Sequence, residues 1–216
     1  MTGSDELNFT AIDFETATSV YSSICSLGIC VVEDNKIVEK KSFLIKPDPF
    51  VFNDYNILIH GIHPEDVIDA GTFDEHWDEI KPYLEGKTII AHNAQFDVGA
   101  LRAVLDHYSI EYPEFEYLCT VKLSQKAYPE LESHKLNCLG EALNICFNHH
   151  DACEDAFACA QIMLCMIRDF NIETIQDIED RFEVQIGKIY PGYYEPCKKK
   201  RKRKKTVTIK SKQNLD

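Results

Sequence analysis

Asn8-Phe9-Thr10-Ala11-Ile12-Asp13-Phe14-Glu15-Thr16 is an apolar strand that ends in two carboxylates. Side chains alternate along a strand, so Asp13 and Glu15 point to the same face with Cα atoms roughly 7 Å apart. Like charges that close raise each other's pKa, and burial adds a desolvation cost. Both acids stay ionised together only with a cation between them. Ligand sets built from oxygen alone suit Mg²⁺ or Mn²⁺. Taken alone, the pair also fits a strand running out into a polar loop.

Outward from this strand, residues 24–33 and 36–45 are two apolar-rich runs separated by Asp34-Asn35, residues that tolerate left-handed backbone, and they read as a β-hairpin. Pro47, Pro49 and Asn53 mark a loop. Thr72-x-x-Glu75 is a capping-box pattern, followed at helical spacing by Phe73, Trp77, Ile80 and Leu84; Pro82 distorts the last turn and Gly86 closes the helix. Thr88-Ile89-Ile90-Ala91 has the continuous apolar character of a central strand covered on both faces. Hairpin-linked strands followed by helix, strand and helix predict an α/β fold, a mixed sheet with helices packed on it.

His92-Asn93-Ala94-Gln95-Phe96-Asp97 follows that strand directly, and Leu101, Val104, Leu105 and Tyr108 lie at +4, +7, +8 and +11 from Asp97. Asp97 therefore heads the buried stripe of its own helix. An acid in a first turn is often only a partner of the helix dipole, but a solvated partner has no need to face the sheet. Asp155 repeats the arrangement, with Cys159, Ile162, Met163 and Met166 at the same offsets. His149 and His150 lie six and five residues before it, where an imidazole beside inward-facing acids can accept a proton at neutral pH.

With 216 residues, 44% of them hydrophobic, the chain can bury a sizeable core, and wholesale disorder is excluded. No apolar run approaches a membrane span, and the first residues lack the plan of a signal peptide, so no membrane association and a cytoplasmic location are expected. The nine cysteines, odd in number and without a Cys-x-x-Cys pair, predict reduced thiols with neither disulfides nor a zinc site. Charge is segregated. Residues 198–205 are all basic, whereas residues 1–197 carry 13 basic against 35 acidic side chains, a net −22. Such a basic block is expected to be disordered and to attract nucleic acid, with solubility or localisation as the competing roles. These shifts divide the chain into a main domain over residues 1–172, a helical and turn extension over 173–197 and a basic tail over 198–216.

Asp13-Phe14-Glu15-Thr16, Asn93-Ala-x-Phe96-Asp97 and His150-x4-Asp155 together resemble the three motifs of the DEDDh 3′-to-5′ exonucleases, a group that includes the proofreading epsilon subunit of DNA polymerase III and RNase T. The resemblance covers roughly residues 8–170, including Ala91-His92-Asn93-Ala94 and His134-Lys135-Leu136-Asn137. It implies a ribonuclease H-like fold and two Mg²⁺ or Mn²⁺ ions. Asp13 would bridge both ions, Glu15 and Asp155 would complete the site of one, and Asp97 would hold the other through waters. His150, five residues before the last Asp, would be the general base and His149 a neighbour without required chemistry.

The resemblance implies a single-stranded 3′ end of DNA or RNA as the partner, with DNA the preferred expectation, and a DNA polymerase as a further partner. Thr16 occupies the position whose backbone would reach the terminal 3′ hydroxyl. Asn93 and Phe96 would line the terminal-nucleotide pocket, although a helix cap and a core side chain suit them equally. Phe14 is carried with these substrate contacts, but it points away from Asp13 and Glu15, which favours packing. An RNase T-like exoribonuclease and a non-catalytic polymerase-associated subunit are the alternatives. The basic tail would compensate for the acidic body, and Tyr190, Tyr193 and Tyr194 are expected to pack on the domain surface rather than stack on bases.

Overall fold

In the computed structural model, which describes residues 7–200, the acid-bearing strand β1 (Phe9–Thr16) lies between two different neighbours. On one side β2 (Ile24–Glu33) pairs antiparallel, with Asp13 opposite Gly28, and β3 (Lys36–Leu44) continues the meander. The hairpin turn is Asp34-Asn35, at φ 50° and 56°, the doubly left-handed conformation of a two-residue loop that suits strand twist. On the other side β4 (Thr88–Ala91) runs parallel to β1, and β5 (Phe115–Cys119) runs parallel to β4.

Three helices bridge β3 and β4. They are α1 (Asp54–His60), α2 (Pro64–Val67) and α3 (Phe73–Ile80), the last followed by a 3₁₀ turn over Lys81–Tyr83 that contains Pro82. The Thr72–Glu75 capping box forms as the sequence predicts. Helix α1 replaces part of the expected loop. Asn53 is its cap, accepting from the Tyr55 N–H at 2.8 Å, and because α1 buries none of its residues it lacks the apolar stripe by which a helix is read.

Helix α4 (Gln95–His107) connects β4 to β5. Helices α5 (Thr120–Ala127), α6 (Leu136–Leu143) and α7 (Ala152–Phe170) follow, and α7 lies across β1 and β2. Both predicted stripes are buried: Leu101, Val104 and Leu105 on α4, and Cys159, Ile162, Met163 and Met166 on α7.

After α8 (Ile175–Phe182) the chain forms β6 (Val184–Gln185), β7 (Gly187–Tyr190), β8 (Tyr193–Glu195) and β9 (Lys198–Lys199). The main sheet has the order β3-β2-β1-β4-β5-β7-β8, and β6 pairs with β9 in a two-stranded ladder. The segment expected to stand as an extension after residue 172 therefore continues the main sheet. Ile178, Phe182, Val184 and Ile189 belong to the same buried core as Ile12 and Ile90, because β7 fills the edge that β5 would otherwise leave unpaired. Lys198 and Lys199 are likewise in a strand, and the Lys200 ammonium approaches Glu179 and Asp180, so the basic run begins inside the fold. The rest of the expected tail lies outside the described residues. All nine cysteines are free thiols. Among the described residues no helix is long and apolar enough to cross a membrane.

Candidate active site

Strand β4 stops at Ala91, opposite Ile12, so β1 runs on beyond its parallel partner. There the Phe14 N–H donates to Asp97 Oδ1 at 3.1 Å. The chain turns from β4 into α4 through Asn93 in the left-handed region, φ 65°, which places Asp97 in the first turn of α4 against the end of β1. Asp155 arrives from the other side, in the first turn of α7. Asp151 caps that helix, accepting from the Cys153 and Glu154 N–H groups. The approach of α7 depends on Gly28. A Cβ there would lie 2.0 Å from the Ala152 carbonyl oxygen, so only glycine lets the start of α7 sit this close to β2.

Asp13, Glu15 and Asp155 bring one carboxylate oxygen each within 4.8 Å of one another. Burial raises the pKa of all four acids, and neighbouring carboxylates add to it at Asp13, Glu15 and Asp97. Asp13 is driven well above the usual carboxylate range by burial, then by Asp97, Glu15 and Asp155. Glu15 is pushed up to about 8 by burial and by Asp155 and Asp97. Asp97 is pushed up to about 7 by burial, against the pull of the Phe14 N–H. Asp155 is also raised by burial, but hydrogen bonds from His149 and from the His150 N–H at 3.1 Å hold it back.

Residues of this kind fit hard divalent cations. The donors are oxygens converging from separate elements, and Asp97 Oδ2 is buried with no hydrogen-bond partner, so one acceptor in the cluster is left for a ligand. No lysine or arginine forms an ion pair with any of the four acids among the described residues.

The sequence-predicted residues fall into two groups. Asp13, Phe14, Glu15, Asn93, Phe96, His150 and Asp155 all line one cleft of about 520 Å³, with Asp97 buried beneath it. Phe14 is a core side chain, 1% exposed. Asn93 is exposed and forms the turn, while Ala94 takes the cap position of α4. Phe96 is half-buried at the cleft edge. Thr16 is not among the cleft residues. It is buried, and its carbonyl oxygen accepts from Asn56 Nδ2 at 2.8 Å and lies 3.3 Å from His60 Nε2.

His149, expected to have no role, approaches Asp155 most closely, its Nδ1 3.1 and 3.0 Å from the two carboxylate oxygens. The His150 ring stacks on it at 3.8 Å, and burial together with His149 lowers the His150 pKa. The left-handed φ of His150, 73°, turns the chain there, an effect that spacing alone does not reveal. His92, expected to be structural, also lines the cleft; its Nδ1 lies 2.8 Å from Thr120 Oγ1 and burial pushes its pKa down to about 4. The far wall of the cleft includes Gln125, His134, Lys135 and Asn137. The last three lie in the His134-Lys135-Leu136-Asn137 run, and Gln125 carries no sequence signal.

A ribonuclease H-like sheet with acids gathered at the end of its central strand is the architecture of nucleic-acid hydrolases, and this chain is of that class. The family model RNase_T, described as Exonuclease, matches residues 10–163, and the chain belongs to that family. It is 27% identical over 198 residues to a DNA polymerase III PolC-type protein of Caldanaerobacter subterraneus, covering 88% of this chain and 14% of that one. It is 27% identical over 169 residues to the 3′-5′ exonuclease DinG of Staphylococcus epidermidis, covering 75% and 18%. The chain thus spans less than a fifth of either relative. Exonuclease X, solved with 5′ overhanging duplex DNA, superposes with a TM-score of 0.64 at 25% identity over 81% of this chain and 99% of that one. A 3′-exonuclease solved for recognition of a histone mRNA stem-loop gives 0.64 at 15% identity, covering 75% and 82%, a likeness of fold.

Proposed function

We propose that this exonuclease hydrolyses the terminal phosphodiester at the 3′ end of a nucleic-acid strand, preferably DNA, in the presence of Mg²⁺ or Mn²⁺, and releases nucleoside 5′-monophosphates. The convergence of Asp13, Glu15 and Asp155 carries the proposal, since buried acids that close serve little purpose without cations. Asp13, Glu15 and Asp155 would hold one ion and Asp13 with Asp97 a second. Bound divalent ions supply two things, a water acidic enough to attack at neutral pH and positive charge to offset what develops on the phosphoryl group.

The chain's own residues do the rest. His150 takes the proton from the attacking water. Its stacking on His149 and its lowered pKa support this role, because they keep the ring neutral and ready to accept. His149 orients Asp155 through its Nδ1 and is a positioning residue. The Phe14 N–H fixes Asp97 with Oδ2 free. Phe96 and Asn93 flank the terminal nucleotide, and Lys135, the one lysine or arginine lining the cleft among the described residues, meets the strand's phosphates. The basic residues from Arg201 onward act as a tether that supplies the counter-charge the body lacks.

The test is digestion of matched 5′-labelled single-stranded DNA and RNA in Mg²⁺ or Mn²⁺, with Asp13→Ala as control. A ladder shortening from the 3′ end, absent in the variant and in chelator, is expected, with DNA degraded faster. Faster RNA decay reverses the substrate preference. Metal binding without cleavage of either strand would instead make the protein a non-catalytic subunit, which co-purification with a polymerase would support.

A further inference from the structure

Beside the cleft, on the outer face of α4, lies a second groove of about 410 Å³ whose walls include Tyr21, Gln95, Arg102, Lys122 and Tyr194. We infer that it holds a nucleotide of the substrate strand upstream of the 3′ end, its phosphates on Arg102 and Lys122 and its base against the exposed tyrosines. This rests on the proposed activity and adds a subsite to it.

The two cavities are neighbours. Asn93 and Phe96 line the cleft while Ala94 and Gln95 line the groove, so the first turn of α4 separates them. The ridge between them is aromatic, with the Tyr21 ring meeting Phe96 edge-on at 5.5 Å and 79°. Tyr21 is seated on Gly99, where an added Cβ would come within 2.7 Å of its ring, and it remains 44% exposed. A strand whose last nucleotide lies against Phe96 has this ridge as its adjoining surface and the groove beyond it. Every base has a π-face, so such a ridge supports any sequence.

The groove also concentrates positive charge on an acidic body. Arg102 and Lys122 both line it against a single acid, Asp106, and neither cation forms an ion pair among the described residues. The Arg102 guanidinium lies 3.5 Å over the Tyr194 ring, with Tyr112 at 5.9 Å, and its Nε is buried without a hydrogen-bond acceptor. Stacking holds the planar group in place while its N–H edge stays available to a phosphate. Asp106, an acid that lines the groove, is one helical turn further along α4 and accepts from the Tyr112 hydroxyl at 2.7 Å. Arg102 and Tyr194 come from α4 and β8, so the groove exists only because the C-terminal strands complete the sheet.

The experiment compares wild type with the double variant Arg102→Gln, Lys122→Gln. The readouts are cleavage of a 12-mer and of a dinucleotide, and anisotropy of a labelled 12-mer in chelator across a salt series. For the 12-mer, KM is expected to rise about tenfold with little change in kcat, and the slope of log K against log salt to flatten by about 1.4 if each cation neutralises one phosphate. On the dinucleotide, too short to cross the ridge, the two proteins should match. Lys122→Gln alone, a milder change if the double variant folds poorly, should give about half the slope change. A 12-mer handled identically by wild type and variants overturns the subsite, as does an acidic peptide that binds the wild type in a groove-dependent way while strand binding does not depend on it. Strand binding that depends on the groove, in a wild type that cleaves nothing, would leave the subsite standing and defeat the proposed activity.

Discussion

Asp97 and Phe14, 83 residues apart, are joined by a hydrogen bond from the Phe14 N–H to Asp97 Oδ1 at 3.1 Å, while Asp97 Oδ2 is buried with no partner. The bond fastens α4 to the end of β1 and brings Asp97 beside the strand that carries Asp13 and Glu15. Asp97→Asn keeps an oxygen for the Phe14 N–H and removes the charge. It is expected to leave the fold intact and lower turnover by 10² or more with weaker Mn²⁺ binding, as read by kinetics and calorimetry. Full activity in this variant would make Asp97 a structural residue only.

The acid cluster predicts an inverted pH dependence of stability in the metal-free protein. Glu15 titrates near about 8 and Asp97 near about 7 when folded, against about 4 for unfolded carboxylates. The folded state therefore retains protons that the unfolded chain releases. Its stability from these groups is complete below about pH 4 and is lost as pH rises to about 8. Thermal midpoints in chelator should fall across that window, and saturating Mn²⁺ should restore them at the upper end. A midpoint that stays level from pH 4 to 8 would contradict the burial of these acids.

The two histidines separate by which parameter they change. His150→Ala should lose roughly 10²- to 10⁴-fold in kcat with metal affinity retained, the range for loss of a general base. His149→Ala removes the hydrogen bond to Asp155 and should weaken metal binding by roughly 10- to 100-fold, with kcat recovered at high metal. The reverse pattern would assign the proton transfer to His149.

Gly28→Ala tests how the site is assembled. Its Cβ would collide with the Ala152 carbonyl and displace the start of α7, carrying Asp155 with it. A stability loss of about 1 to 3 kcal/mol in urea denaturation, the usual scale of overpacking, should accompany a loss of activity greater than instability explains. Unchanged kcat would show that α7 can shift without moving Asp155.

Truncation after Lys200 removes the basic residues outside the described structure while keeping the β6–β9 pairing. If residues 201–205 each neutralise a phosphate of a single strand, the salt slope should flatten by about 3 to 4. Sequence preference should be unchanged. Equal affinity and slope in the truncated protein would leave the tail without a tethering role.

The chemistry and its local supports were written into the sequence. Carboxylates two apart on a strand must share a face, and an acid four residues before a buried stripe must face the same way as that stripe. Asp13, Glu15, Asp97 and Asp155 could thus each be oriented before any tertiary contact was known. The turn at Asp34-Asn35 and the Thr72 capping box were legible for the same reason, since each is settled within a few residues. Contacts between distant segments were not. That the His149 ring reaches Asp155 while His150 bonds it through its backbone N–H, at a left-handed φ, is not visible in spacing. Thr16, buried and not among the cleft residues, meets at its carbonyl the side chains of α1, a helix with no buried stripe. Nothing near residue 187 announces that β7 will pair with β5, 72 residues earlier, and so complete both the core and the groove beside α4. Periodicity reports which way a side chain faces along its own element. Only packing decides what that face meets.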